Sequence, residues 1–518
     1  MSPYALRARR FPGFARIFAY MAGTFAMLAV CVLVGLISAF GSLRFGALIA
    51  GALVGVVLLA LSAESLLLGV TVMAFFIVGQ LFYFAGIGQA VWIVFGLGAL
   101  LYLKWIALAW GRRGARQLDG VSLFVLGFLL SVALAALVNQ PSILQSVAGG
   151  KNLVLLWSVF LLVAGGYVSW GGLRRLWLVL EWALYFQVPI VLYQFFVVAP
   201  SRTSFGATAG GVEWDAVVGG FGGDPLGGGY SGGMAWFVCV MAVWAVAMYR
   251  RAQLGRLRLV AILTSALVCV VLAEVKVVVV LFPVAAMMLI GPNVRRHPFT
   301  VALGIPAALV LSLGTLMVYQ NLHYGGTASA SSSVGQMLDK AFGYSLDPNQ
   351  INYRTGEMGR VAAVSLWIRD AMVKDPFHGV FGHGPGASRG RSIAGPGEVA
   401  KRYPFLVDRS TATQLLWDVG LVGFLAYVLA LLLGIWNAMQ LSRKTHDPWR
   451  AATLEACGVG LAMLCVMTFY GRDQLEAPAI CLFSILLLGV VTLARRERCA
   501  RLTVRSAARG AATVPVPG

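Results

Sequence analysis

Charge is what this chain most lacks: only 12% of its 518 residues are Asp, Glu, Lys or Arg. An ordinary soluble domain carries about 25%, so a soluble globular class is excluded. Acidic residues are the scarcer sign, 20 against 40 Lys+Arg, and no acidic group shows the spacing of a metal site, so none is expected. Cysteine is also sparse. The seven, Cys31, Cys239, Cys269, Cys457, Cys465, Cys481 and Cys499, fall in apolar runs or the basic tail, which excludes a disulfide framework and a thiolate metal centre. No repeat of 20 to 50 residues and no inverted pair of Gly/Pro-broken apolar runs is present, which argues against a repeat-built transporter.

Apolar residues are abundant, 59% of the chain, and they come in long runs. The composition and these runs predict an all-α polytopic membrane protein. Spans are expected at 17–40, 45–61, 65–84, 90–110, 121–138, 153–170, 176–198, 230–248, 299–318, 415–436, 451–469 and 479–493. The first exceeds a signal peptide's apolar core and reads as a retained span. Between Leu259 and Ile290 an apolar run of 32 residues is broken only at Glu274-Val275-Lys276. One helix of that length would measure roughly 48 Å against a hydrocarbon core of about 30 Å. A short broken hairpin fits better, and it brings the expected total to about 14 spans.

The net charge of +20 would suggest nucleic acid in a soluble protein. In this topology, 24 of the 40 basic residues fall on the N-terminal segment, alternate loops and the tail, including Arg112/Arg113/Arg116, Arg174/Arg175, Arg250–Arg258, Arg295/Arg296 and Arg443/Lys444/Arg450. Such residues mark the cytoplasmic side and face anionic lipid, with no nucleic-acid partner. Both termini are then cytoplasmic, and Glu274 and Lys276 sit at an outward apex. The expected units are a transmembrane bundle at 1–318 that includes the hairpin, a large periplasmic loop at 319–413, C-terminal spans at 414–494 and a basic cytoplasmic tail at 495–518.

Two outer segments are long. Residues 201–233 hold twelve glycines between Gly206 and Gly233, which favours turns and close backbone approach over a packed fold. The loop at 319–413 is too long to be structureless in a compact protein, so it is expected to be functional and partly helical. Residues 359–373 (GRVAAVSLWIRDAMV) read as an amphipathic helix. At about 100° per residue, Val364, Trp367 and Ala371 share the face of Arg360, while Arg369 falls opposite. A cation on the apolar stripe must meet an anion, line a wet cavity or snorkel to phosphate headgroups.

Several segments in order resemble the O-antigen ligase and polysaccharide polymerase superfamily, the WaaL-type ligases and Wzy-type polymerases. They are Asn139-Gln140-Pro141-Ser142 with Leu144-Gln145 and Lys151-Asn152, Phe205-Gly206 with the glycines from Gly219 to Gly229, and Leu272-Ala273-Glu274-Val275-Lys276. Then follow Gly359-Arg360 with Trp367, Asp375-Pro376, Phe381-Gly382-His383-Gly384-Pro385-Gly386, and Gln414 to Gly423. The likeness covers roughly residues 130 to 435. It implies transfer of a glycan from undecaprenyl diphosphate to a sugar hydroxyl on the periplasmic face of the bacterial inner membrane, inverting and without metal or cofactor.

Two departures matter. Lys276 stands where the ligases have arginine, keeping a cation but losing the bidentate fork. Arg409, followed by Ser410 and Thr411, stands where ligases place histidine, which favours polymerase over ligase. On this reading Lys276, Arg360 and Arg409 stabilise the diphosphate and Asp408 is a candidate base. Glu274, Trp367, Arg202, Arg389 and His383 are candidate substrate contacts. Four of them have a plainer role: Lys276 an interfacial anchor, Glu274 a helix cap, Asp408 an ion-pair partner of Arg409, His383 a solvated bystander. Partners would be the lipid-linked donor, a glycan acceptor, membrane lipid and a chain-length regulator. A ligase acting on lipid A, and a transporter gated by Glu274 and Lys276, are the alternatives.

Overall fold

The computed structural model describes residues 54–512 apart from 112–118, 202–215, 225–227, 274, 291–302, 353–355, 391 and 393, with only scattered positions between 303 and 346. The chain divides into two compact units at residue 66, the larger being Leu67–Gly518. Among the described residues nine helices are long and apolar enough to cross a membrane: α1 (Ala63–Ala85), α2 (Gly88–Trp110), α3 (Gly120–Asn139), α4 (Ile143–Ala164), α5 (Trp170–Ser201), α6 (Ser231–Arg250), and, later in the chain, Thr411–Lys444, Pro448–Tyr470 and Pro478–Leu502. The chain is a helical multi-pass membrane protein. The spans expected at 17–40, most of 45–61 and much of 299–318 lie outside the described residues.

The long apolar run is two helices, α7 (Arg256–Leu272) and α8 (Val278–Ile290). Glu274 lies outside the described residues, and Lys276 sits half-buried in the turn between the two helices. Beyond them come α9 (Arg360–Trp367), α10 (Pro376–Phe381), α11 (Thr411–Lys444), α12 (Pro448–Tyr470), the single turn α13 (Asp473–Glu476) and α14 (Pro478–Ala512). The last helix carries the basic tail as far as Ala512.

Capping fixes several entries. Asp119, Ser142 and Ser169 each accept a backbone N–H of the first turn that follows. Ser410 and Thr413 form a reciprocal box at the start of α11. The interior of the bundle is aromatic: Phe75 packs edge-on to Phe221 with centroids 5.4 Å apart, Phe237 and Phe483 close the group, and Trp177 stacks on Trp244 at 5.5 Å.

One end of the bundle is tied together by its basic residues. Arg250 and Arg251 pair with Glu455, Arg258 with Glu181, and Arg450 with Glu497, whose other oxygen accepts from the Trp170 indole. Helix α6 runs away from this end toward its own start at Ser231, and the 17 residues of α7 run back the same way. That length is about 25 Å of helix, which delivers Lys276 to the opposite end of the bundle.

The glycine-rich segment departs from its expected open character where it is described. Residues 216–223 are buried in the bundle. Polar side chains of α5 make this possible, because buried backbone groups need partners. Gln194 Oε1 accepts from Val218 N at 3.0 Å and Gly219 N at 2.7 Å, its Nε2 donates to the Gly219 carbonyl at 3.0 Å, and Gln187 Oε1 accepts from Gly220 N at 2.5 Å. A Cβ on Gly79 of α1 would lie 2.1 Å from the Gly220 carbonyl oxygen. The close approach that glycine permits is therefore used.

Candidate functional site at the loop end of the bundle

The large loop is folded around its own core, in which Met358, Ala363, Trp367, Ala371, Ala387, Val399 and Val407 pack against Leu416 and Trp417 of α11. Its docking depends on a break in that helix. Gly420 has φ 70° and ψ −175°, outside helical space, so the carbonyls just ahead of it need other donors. The loop supplies them: Trp367 Nε1 donates to the Leu416 carbonyl at 3.0 Å, His383 N to that of Trp417 at 2.8 Å and Gly384 N to that of Asp418 at 3.0 Å. The Asp418 carboxylate then accepts from Gly386 N at 3.0 Å and Ser388 N at 2.9 Å. The Phe381–Gly386 motif is thus a backbone brace on the kinked span, and Asp418 is its anchor.

This brace carries Arg389 to the turn between α12 and α14. There Arg389 Nη2 donates to Glu476 Oε1 at 3.1 Å while its Nη1 reaches the Ala148 carbonyl at 3.2 Å. Arg472 Nη1 meets Asp408 Oδ2 at 2.9 Å, and its Nε lies 3.7 Å from Glu476 Oε2. Asp408 therefore pairs with a residue 64 positions away, and its sequence neighbour Arg409 lies half-buried beside it. Arg360 joins from the loop helix: its Nε donates to the Tyr470 carbonyl and its guanidinium sits 4.2 Å from the centre of the Tyr470 ring. Arg369 faces the other way, 65% exposed and paired with Asp370.

Lys151 enters from α4, 8% exposed. It heads a π-helical stretch, Lys151–Leu155, and such bulges often mark functional sites. Its Nζ lies 2.5 Å from Asn152 Oδ1 and 4.9 and 4.6 Å from the ring centres of Trp92 and Phe95. Cation–π contacts of this kind attract an ammonium to the ring faces.

The carboxyls divide according to what surrounds them. Burial pushes Asp408 up, against the pull of Arg472. Burial would raise Glu476 too, but Arg472, Arg389 and Lys151 together hold it below the usual carboxylate range. Asp473 is pushed up to about 6 by burial, although Gly233 N donates to it at 2.5 Å. Arg472 is held more firmly protonated than usual, chiefly by Glu476. Arg389 and Arg472 thus stand among Asp408, Asp473 and Glu476, with Lys151 acting on Glu476, Arg360 on the nearby Tyr470 carbonyl and Arg409 next to Asp408 in sequence: five basic side chains against three carboxyls. The surplus is positive, as an anion site requires.

Of the residues singled out in the sequence, Asp408 and Arg389 enter the ion-pair cluster directly, and Arg360 borders it. Trp367 is 4% exposed and packs inside the loop core. His383 is enclosed at 7% exposure against Trp417 and His378, not solvated as its loop position suggested. Burial, then the neighbouring His378, lowers its imidazole to about 4. Arg202 lies outside the described residues. Arg472, Asp473 and Glu476 were missed, although three charges in a five-residue connection between apolar runs were a readable signal on a side where basic loops were not expected. No family model matches the chain, and no curated protein matches it.

Proposed function

We propose that this protein is an inner-membrane glycosyltransferase that polymerises undecaprenyl-diphosphate-linked oligosaccharide repeat units into O-antigen, capsule or exopolysaccharide on the periplasmic side. The observation that carries the reading is the gathering of Arg389, Arg472 and Lys151 on Glu476 and Asp408 at the end of the bundle where the folded loop docks. The reaction breaks the anomeric C–O bond of the donor, and negative charge develops on the departing diphosphate. The acceptor hydroxyl attacks from the opposite face, so the anomeric configuration inverts, and its proton passes to a carboxylate.

Fixed guanidinium and ammonium groups stabilise such charge without reorganising as it forms. Lys151, Arg389 and Arg472 are each held by partners on α2, α4, α13 or the loop, so they are set before the substrate arrives. Arg360, on the Tyr470 carbonyl, extends the positive surface toward the loop, and Lys276 of the hairpin turn is proposed to meet the same diphosphate. Burial raises Asp408 and Asp473, and a carboxyl with a raised pKa is the better proton acceptor for general-base work.

The test is chain growth by detergent-purified protein given purified lipid-linked repeat units. Lys276→Ala and Arg360→Ala are expected to cut the rate by about 10²–10³-fold, the usual loss for one group on developing charge, at unchanged membrane abundance. Arg369→Ala is expected to leave it almost unchanged, because that side chain points into solvent. Equal damage from Arg369→Ala and Arg360→Ala would overturn the assignment of faces. Gradient-driven uptake into vesicles without new glycosidic bonds would overturn the transferase reading itself. In a deletion strain, single repeats indicate a lost polymerase, whereas long polymer stranded on the lipid carrier indicates a lost ligase.

A further inference from the structure

The sequence reading placed no metal site in the chain, yet the loop gathers one set of side chains that can hold a metal. Asp375, His378 and His383 each place a donor atom within 4.8 Å of the other two. Asp375 Oδ2 lies 2.6 Å from His378 Nδ1, and the two imidazoles stack with centres 4.6 Å apart. All three belong to α10 and its two ends: Asp375 caps the helix, His378 lies within it, and His383 follows the turn at Gly382.

We propose that Asp375, His378 and His383 bind a divalent transition-metal cation of the zinc class. Two imidazoles and a carboxylate are the N/O donors that suit such an ion and disfavour Ca²⁺ or Mg²⁺, which take oxygen ligands. His383 supplies the observation independent of the cluster. It is 7% exposed, and its Nδ1 is enclosed without a hydrogen-bond partner among the described residues. A buried polar atom in that condition costs free energy unless something meets it, and a cation would.

The fit needs modest movement. Donors on one tetrahedral zinc stand about 3.4 Å apart for bonds of about 2.05 Å, so the widest pair must draw together by about 1.4 Å at most and Asp375 Oδ2 and His378 Nδ1, 2.6 Å apart, must part by about 0.8 Å, through imidazole and carboxylate torsions. The backbone already holds the frame, because His383 N is bonded to the Trp417 carbonyl and Gly382 N to that of His378. Three protein ligands leave a position for water. The bound ion would clip α10 to the brace that carries Arg389, a role apart from the diphosphate cluster and independent of the transferase reading.

The experiment uses the full-length protein with a tag that contains no histidine, stripped with chelator and returned to Zn²⁺ alone. Elemental analysis after desalting is expected to find about one zinc per chain, and Co²⁺ loading to give the visible absorption of a low-symmetry N/O site. His378→Gln should abolish both. That side chain is partly exposed, so the variant is expected to remain monodisperse. Asp375→Asn, which keeps an oxygen to cap the helix, should weaken binding at least about tenfold, as loss of a supporting carboxylate does. No retained zinc in the wild type would overturn the proposal, as would equal zinc in the wild type and His378→Gln.

Discussion

Arg472→Ala is expected to abolish chain growth and to be the most destabilising single change in the ion-pair cluster. The guanidinium serves Asp408 and Glu476 at once, and Asp408 is only 1% exposed. Removing one member of a buried pair leaves the other charged and unpaired, which costs roughly 3–5 kcal/mol. Because the Arg472 side chain is itself 35% exposed, the lower end of that range is the better guide. Asp408→Asn should cost much less, since it removes a carboxyl that burial already pushes up and leaves Arg472 its contact with Glu476.

The double variant Asp408→Asn/Arg472→Gln separates fold from function. It should recover most of the stability lost in Arg472→Ala, read by thermal unfolding in detergent, while remaining inactive in the chain-growth assay. Recovery of activity along with stability would show that the pair only holds the turn in place.

Much of this architecture was readable from elementary patterns. Apolar run length placed the spans that are described, and the charged interruption marked the break between Leu272 and Val278. Helical periodicity separated Arg360 from Arg369, although the helix widens into a π turn over Ile368–Val373. What was not readable depends on long-range geometry. The partner of Asp408 is Arg472, not the adjacent Arg409, because the loop returns to the α12–α14 turn before α11 begins. The buried glycine segment depends on Gln187 and Gln194, two polar residues inside an apolar helix, whose partners cannot be inferred from periodicity. His383 looked solvated because nothing in its neighbourhood foretold that Trp417 and His378 would enclose it. The count of about 14 spans stands beside nine among the described residues.

Gly420→Ala is expected to uncouple the loop from the bundle and abolish activity with little effect on the spans themselves. At φ 70° an alanine costs about 1–2 kcal/mol for handedness alone. Its Cβ would also lie 2.3 Å from the Val380 carbonyl oxygen, which is main chain and cannot swing aside. If the helix straightened to relieve this, the carbonyls of Leu416, Trp417 and Asp418 would return to helical partners and lose Trp367, His383 and Gly384. Gly149→Ala should act from the other side, since its Cβ would meet Gly386 N at 2.4 Å. Gly150→Ala has open space around the new methyl and should be neutral or stabilising by about 0.5–1 kcal/mol, the ordinary helical preference for alanine. The readout is protease cleavage within the loop set against the melting of the whole protein. Rapid cleavage with a near-normal melting temperature in Gly420→Ala and Gly149→Ala, but not in Gly150→Ala, would show that the brace positions Arg389 rather than sustaining the bundle. A loop that stays protected in Gly420→Ala would mean that the kink does not hold it.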